Sequence, residues 1–382
     1  MMVPAKSDRI ASHGRRLASF LILIGCVFTF PEFAAAQGVP AASPTPEASL
    51  KSAVKPAAPK SYAAKHGVSR WFDLDALSVS TRYNFIENTN RTKAANNDQY
   101  QFVAKGRFKF DAKGRYSVYA GVQTGQNFTS GWDNSAWGTG REQTGIPVKH
   151  LYFEAKPTNH IGAQFGGIAI NNGVNSEITG YDSDNYITGE RLSLKYPKKL
   201  YFDEIHITYA NLGSLNRPNV FRRFKLLDTQ NYHQFLVIKN LNKRVSFSAD
   251  YTYESGTDML RQAVRAKVPE TRLLDNVLFE NYQRLDPGAG YGFNLQGDKK
   301  VFKRLTLTGG FAHIDRPLLN GDRFPRGNRF HLTGVYTISP EFSLTAWVIE
   351  GVGPQPGNAV RTRVNVLFTY NVLQSLRRAH IF

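Results

Sequence analysis

Strict alternation marks the stretch Val360-Arg-Thr-Arg-Val-Asn-Val-Leu-Phe-Thr-Tyr-Asn-Val372 near the end of this 382-residue chain. Valine and aromatic residues occupy most of one set of alternate positions, and arginine and asparagine occupy most of the other. A period of two places the two sets on opposite faces of a β-strand. The same period recurs over residues 77–85 and 99–110, which predicts that strands dominate the chain from Trp71 onward.

The connections between these segments are of two alternating kinds. Six short turns are predicted at 111–114, 157–159, 198–200, 240–243, 298–302 and 340–341, and the connections between them are longer and polar, as at 125–146 and 171–189. Tight turns at one end and long loops at the other are typical of outer-membrane barrels. A soluble antiparallel sandwich would also alternate. The segment lengths of about 9–13 residues, near those of membrane-crossing strands, favour the barrel, as do the aromatic residues on the apolar faces.

The predicted fold is therefore all-β, a transmembrane antiparallel up-and-down β-barrel with short periplasmic turns and long extracellular loops. Residues 255–288 are ambiguous, because Leu274, Leu278 and Tyr282 recur at helical spacing. We expect helices in a long loop there, which could fold into the lumen as a plug. The barrel then has about 14 strands. Alternatively, a further hairpin turning at 269–271 gives 16 strands. The 14 segments are 77–86, 99–110, 115–124, 147–156, 160–169, 190–197, 201–211, 231–239, 244–254, 289–297, 303–314, 328–339, 342–352 and 359–372.

The first 36 residues have the layout of a secretory signal peptide. Four basic residues precede an apolar core at 17–30, and Ala34-Ala-Ala36 provides a cleavage site. The core is shorter than the roughly 20 residues of a spanning helix. An alternative is lipidation of Cys26, the only cysteine, because Leu23-Ile-Gly-Cys26 resembles a bacterial lipobox. Residues 37–69 are rich in alanine, proline and lysine, which predicts a disordered periplasmic arm before the barrel of residues 70–382.

The chain carries a formal net charge of +18, which favours anionic partners. Export argues against nucleic acid, so we expect contact with outer-membrane lipid and lipopolysaccharide, and with small anionic or neutral solutes. The oligomeric state is left open. No Gly-x-Ser-x-Gly or His-Glu-x-x-His motif is present, so we expect no enzyme, no catalytic residue, no cofactor and no metal site.

A barrel of this size has a lumen wider than side chains fill, as in open channels of about 16–18 strands. The faces assigned inward are polar and mostly basic, and a ring of arginine and lysine lowers the barrier for anions. Alternatively, these arginines pair with lumenal carboxylates and only fill the interior. The predicted pore-lining residues are Arg82, Lys105, Arg107, Arg191, Lys195, Arg304, Arg361, Arg363, Glu154, Glu204 and Asp250.

With a signal peptide, alternating strands, short turns and a terminal Phe382, the chain resembles a Gram-negative porin-type barrel over residues 70–382. The hairpin His150-Leu-Tyr-Phe-Glu-Ala-Lys-Pro157 with Ile161-Gly-Ala-Gln-Phe-Gly166 is similar to porin hairpins. The resemblance implies a porin, a diffusion channel for small hydrophilic solutes, and the basic interior adds a preference for anions. An exporter barrel for an acidic polysaccharide, similar to alginate exporters, is the alternative.

Overall fold

The computed structural model describes residues 70–126, 131–180, 185–196, 200–213, 218–227, 229–268, 273–286, 290–315, 326–353, 355 and 359–381. The predicted signal peptide and arm, residues 1–69, lie outside these ranges. Within them, seventeen strands form one antiparallel sheet, in which each wall strand neighbours the next and the last pairs with the first. Sixteen strands thus close into a barrel, while β4 pairs only with one end of β2.

The strands are β1 Phe72–Asn88, β2 Lys93–Lys109, β3 Tyr116–Gln123, β4 Asp133–Gly138, β5 Val148–Ala155, β6 Ile161–Ala169, β7 Tyr186–Lys195, β8 Glu204–Asn211, β9 Tyr232–Asn240, β10 Val245–Glu254, β11 Thr257–Lys267, β12 Asn276–Arg284, β13 Tyr291–Phe302, β14 Leu305–Ile314, β15 Gly327–Thr337, β16 Phe342–Val352 and β17 Val360–Asn371. Two short helices, α1 Val220–Arg223 and α2 Val372–Arg378, and a 3-10 turn, Phe224–Leu226, complete the described elements. None of the described helices is both long enough and apolar enough to cross a membrane.

The two faces of the wall differ as the alternation predicts. Large apolar side chains on one face are exposed, with Phe165, Phe279 and Phe330 at 54, 45 and 56%. The other face carries buried polar residues, among them Asp250 and Arg261, which stand directly opposite each other on β10 and β11. An apolar exterior around a polar interior is the arrangement that a lipid-embedded barrel requires. We call the polar side the lumenal face.

The preferred count of 14 strands, with helices over 255–288, is wrong, and the alternative of 16 is confirmed. Residues 255–288 contain the β11–β12 hairpin, although its turn at 269–272 lies outside the described residues. Leu278 and Tyr282 are four residues apart, an even number that suits one face of a strand as well as one face of a helix. The intervening Phe279 lies on the opposite face, directly across from Val264, which only the strand period explains.

A two-residue turn explains why this region looked like one long loop. Ser255 and Gly256, with φ of 48° and 98°, connect β10 directly to β11. Positive φ at both central residues is characteristic of a type I′ turn, which matches the twist of a hairpin. This connection lies at the end of the barrel where the sequence pattern predicts long loops. The pattern therefore assigns the residues of β11 to a loop and not to a strand.

At the opposite end, which we call the turn end, carboxylates tie neighbouring hairpins together. Asp203 accepts hydrogen bonds from the Asn240 backbone N–H at 2.7 Å and from Lys239 Nζ at 3.3 Å. Asp275 is bound in the same way by the Lys300 N–H and Lys299 Nζ, both at 2.8 Å. The hydrogen bond from Lys299 holds the pKa of Asp275 below its usual range.

The chain end is helical, not extended. Asn371 closes β17, and its side chain accepts a hydrogen bond from the Gln374 N–H at 3.2 Å, which caps α2. Arg378 at the far end of α2 forms an ion pair with Glu341 at 2.8 Å. The broken alternation after Val372 therefore corresponds to a capped helix attached to the turn end of the barrel.

Candidate pore and the segment folded into it

The predicted pore-lining residues, except Arg304, occupy lumenal positions of the wall. Arg82 stands opposite Gln99, Arg191 opposite Thr208, and Asp250 opposite Arg261, all on the polar face. Arg304 lies in the turn between β13 and β14, where its guanidinium donates to the Ile338 carbonyl at 3.2 Å. A role for the set in ion selectivity remains a prediction.

Residues 171–180, which we call the inner segment, leave the loop end after β6 and fold against the lumenal face. The Val174 N–H donates to Ser248 Oγ on β10 at 2.9 Å, and Gln234 Nε2 on β9 donates to the Asn171 carbonyl at 2.8 Å. On β12, Glu280 accepts hydrogen bonds from both the backbone N–H and the hydroxyl of Ser176. The segment thus crosses four strands, and we call the lumenal faces of β9–β12 the anchoring wall.

A glycine permits the close approach at Val174. Gly173 has a φ of 62°, and a Cβ atom there would lie 2.9 Å from both Leu236 Cδ1 and Ser248 Oγ. Any other residue would therefore meet both a conformational penalty and a steric clash. The glycine brings the backbone of the inner segment onto the anchoring wall.

A buried ion pair stands at the centre of the anchoring wall. Arg261 donates to Asp250 through Nε at 3.0 Å and lies within 2.9 Å of it through Nη2, and both side chains are at most 1% exposed. Arg261 Nη1 also donates to Asn172 Oδ1 at 3.4 Å and to the Thr179 carbonyl at 3.3 Å. A hydrogen bond and a second close contact between the same two charges hold them more firmly than one contact would. The pair joins β10, β11 and the inner segment.

Glu280 extends this network around the barrel. Asn294 Nδ2 on β13 donates to Glu280 Oε1 at 2.9 Å, and Asn294 Oδ1 lies 2.9 Å from His331 Nε2 on β15. The carboxylate is fully buried and is therefore satisfied entirely by protein groups. Asp250 and Glu280, two lumenal acids of the anchoring wall, thus both bind protein groups that hold the fold together.

The lumenal faces of β17, β1 and β2, which we call the basic wall, are different. Arg82 stacks over Trp132 with its Cζ atom 4.3 Å from the ring centroid, and Arg363 stacks over Trp347 at 5.0 Å. Two other members meet carboxylates, Arg107 with Glu154 on β5 at 3.4 Å and Arg361 with Glu350 on β16 at 3.5 Å. Because β1 and β10 are eight of the sixteen wall strands apart in the closed barrel, the basic wall faces the anchoring wall across the lumen.

A third group of predicted residues links β7 to β8. His206 lies 2.8 Å from Ser193 Oγ through Nδ1 and 3.2 Å from Glu204 Oε2 through Nε2, and Lys195 Nζ also reaches Glu204 at 2.8 Å. Ser193 and Lys195 stand directly opposite His206 and Glu204 in the register. Side-chain contacts within this group therefore link the adjacent strands β7 and β8.

The comparisons with known proteins agree with this architecture. Solved structures of two mutants of the Rh. blastica porin match with a TM-score of 0.50 and 14% sequence identity, over 78% of this chain and 100% of theirs. No family model and no curated protein matches the chain. At this identity the likeness establishes the fold, a closed 16-stranded porin-type barrel.

Proposed function

We propose that this chain is an outer-membrane channel, a porin that lets small hydrophilic solutes diffuse through and prefers anions. The observation that carries the proposal is the charge of the basic wall. Arg82, Lys105, Arg107, Arg361 and Arg363 share its lumenal side by register and alternation. A pore lined by cationic groups lowers the electrostatic barrier for anions and raises it for cations.

The pairing of charges supports a positive lumen. On the anchoring wall the Arg261 charge is balanced by Asp250 at hydrogen-bonding distance. On the basic wall, Arg82 and Arg363 have tryptophan rings as neighbours, which attract a cation without cancelling its charge. Two opposed walls of unequal charge also create a transverse field across the passage.

The inner segment supports a channel for small solutes over the polysaccharide exporter. It lies inside the barrel against β9–β12 and occupies part of the cross-section there. Its contacts include a buried carboxylate and a buried guanidinium, so displacing it would remove hydrogen bonds from two buried charged groups. A fixed constriction suits small solutes better than a polymer chain.

The apolar exterior supports location in the outer membrane, and residues 1–36 support export with cleavage near Ala36. The turn end then faces the periplasm and the loop end faces the exterior, where lipopolysaccharide is an anionic neighbour for this basic chain. We propose no catalytic role and no cofactor.

Planar-bilayer recording of the purified full chain tests the proposal. Under a tenfold potassium chloride gradient, we expect a conductance whose reversal potential has the sign of chloride preference. A potassium-preferring reversal potential would contradict the anion preference, and a folded protein without conductance would contradict the channel. Block by soluble polyuronate at micromolar concentration would favour the exporter instead.

A further inference from the structure

A row of three asparagines crosses the seam where the barrel closes. Asn365 on β17 stands directly opposite Asn84 on β1, which stands directly opposite Asn97 on β2. All three lie on the lumenal face and are at most 8% exposed. Trp347 on β16 continues the row, since it stands opposite Asn365 on the other side. We call Asn365, Asn84 and Asn97 the asparagine row.

The amides of this row are only partly satisfied. Asn84 Nδ2 donates to Asn97 Oδ1 at 3.1 Å, and Asn97 Nδ2 donates to the Thr139 carbonyl at 3.0 Å. Asn84 Oδ1 and both amide atoms of Asn365 have no hydrogen-bond partner among the residues that the structure describes. A buried polar atom without a partner costs about 1–3 kcal/mol, so two acceptors and an NH₂ donor group here point to a polar ligand.

Arginines flank the row on both sides along the strands. Arg363 lies two residues from Asn365 towards the loop end, and Arg82 lies two residues from Asn84 towards the turn end. Each is therefore about 7 Å along the strand from the row. At the lumenal positions of 76–86, 95–109, 343–351 and 361–371, no residue is a carboxylate. The neighbourhood offers positive charge for an anionic group and amides for neutral hydrogen-bonding groups.

We infer that the asparagine row with Arg82 and Arg363 is a binding site for a small polyhydroxylated carboxylate, a sugar acid. The inference rests on the proposed function, because the site lines the proposed passage. An arginine holds the carboxylate through charge-assisted hydrogen bonds. Hydroxyl groups donate to the two free amide oxygens and accept from Asn365 Nδ2, a combination that a simple inorganic anion cannot provide.

Calorimetric titration of the folded, detergent-solubilised full chain tests the site with gluconate, propionate and glucose at constant ionic strength. Gluconate should bind at least tenfold more tightly than propionate, which lacks the hydroxyls, or glucose, which lacks the carboxylate. Asn365→Leu removes two to three hydrogen bonds and should weaken gluconate binding about tenfold, while leaving propionate unchanged. Asn365→Asp, which keeps the size but adds a negative charge, should abolish binding of both carboxylates.

Thr345→Val is the matched control, since Thr345 is a buried lumenal residue on β16 outside the row. It should bind gluconate as the unaltered chain does. Equal affinities for gluconate and propionate, or unchanged gluconate binding by folded Asn365→Leu, would overturn the inference. An anion-preferring conductance without gluconate binding would refute the site alone, whereas gluconate binding without conductance would refute the channel alone.

Discussion

The anchoring wall and the basic wall face each other across one lumen and use arginine in opposite ways. On the anchoring wall, Arg261 is buried and forms an ion pair with the buried Asp250. On the basic wall, Arg82 and Arg363 lie over tryptophan rings, and the lumenal positions around them carry no carboxylate. The same side chain is a structural element on one side and a source of electrostatic potential on the other.

The difference teaches that the number of lumenal arginines is a poor guide to selectivity. A paired and desolvated guanidinium contributes little net field, but its removal leaves a buried charge exposed to a low dielectric. An arginine stacked on a tryptophan ring keeps its full charge, and under the proposed function that charge acts on the passing solute. Substitutions on the anchoring wall should therefore change the stability of the barrel, and substitutions on the basic wall should change its ion selectivity.

The largest expected effect is that of Arg261→Met. It leaves Asp250 buried without its partner and should lower the free energy of unfolding by about 3–5 kcal/mol. The measurement is urea unfolding in lipid vesicles. Arg363→Met on the basic wall is the matched control and should cost about 1 kcal/mol, the order of its stacking on Trp347. Equal losses in the two variants would remove the distinction between the walls.

The double variant Asp250→Leu with Arg261→Met sharpens the same point. Because it replaces both charges with apolar groups of similar volume, it should recover most of the stability that Arg261→Met loses. A double variant as unstable as the single one would mean that contacts from Arg261 to the inner segment, and not its charge, carry the stabilisation.

Charge reversal on the basic wall should change selectivity and leave folding intact. Arg82→Glu should reduce the chloride-to-potassium permeability ratio by roughly fivefold, which corresponds to about 1 kcal/mol. The reversal potential under a salt gradient measures it. Arg304→Glu, in the turn between β13 and β14, is the control and should leave the ratio nearly unchanged. If both variants shift the ratio alike, the effect comes from overall charge and not from the basic wall.

Glu280→Gln should loosen the inner segment without removing it. The substitution weakens the charge-assisted hydrogen bonds from Ser176, a local loss of about 1.5–3 kcal/mol. Single-channel recordings should then show more frequent current fluctuations at unchanged ion preference. Glu204→Gln, which removes a lumenal carboxylate held by Lys195 and His206 on β7 and β8, should not add fluctuations.

The smallest effect tests the hairpin that presents the buried pair. Gly256→Ala places a side chain at a φ of 98°, where it meets no atom within 4 Å, so only backbone strain opposes it. The expected loss of stability is about 1 kcal/mol. Gly309→Ala on β14, where the added Cβ would lie 3.4 Å from Leu332 Cδ1 and φ is not positive, should change stability less.

Much of the architecture was predictable because the strand period is local. Alternation over 360–372 and 77–85 identified the barrel and assigned Arg82 and Arg363 to one face, as the register places them. The strand count failed where two local signals misled. Leu278 and Tyr282 fit the period of a helix as well as that of a strand. The Ser255-Gly256 turn is short, although the alternation of short turns and long loops predicts a long loop at that end.

The inner segment and its anchors could not be found in the same way. Ser176 and Glu280 are 104 residues apart, and neither residue has a neighbour in sequence that marks the contact. Arg261 lies in the stretch for which the spacing predicts helices, so its pairing with Asp250 could not be predicted. Assigning the Ser-Gly dipeptide as a type I′ turn would have placed the two charges directly opposite each other.

Two hairpins on opposite sides of the barrel, β1–β2 and β10–β11, differ in the length of their strands. The strands of the β1–β2 hairpin have 17 residues each, and those of the β10–β11 hairpin have 10 and 11, half a circumference away. A difference of about six residues is roughly 20 Å along a strand. The longer hairpin meets its outer neighbours at opposite ends, since β17 runs along residues 78–88 of β1 and β3 runs along residues 103–109 of β2. Each strand is thus displaced along its neighbour, which is the stagger that a wall of tilted strands needs to close into a barrel.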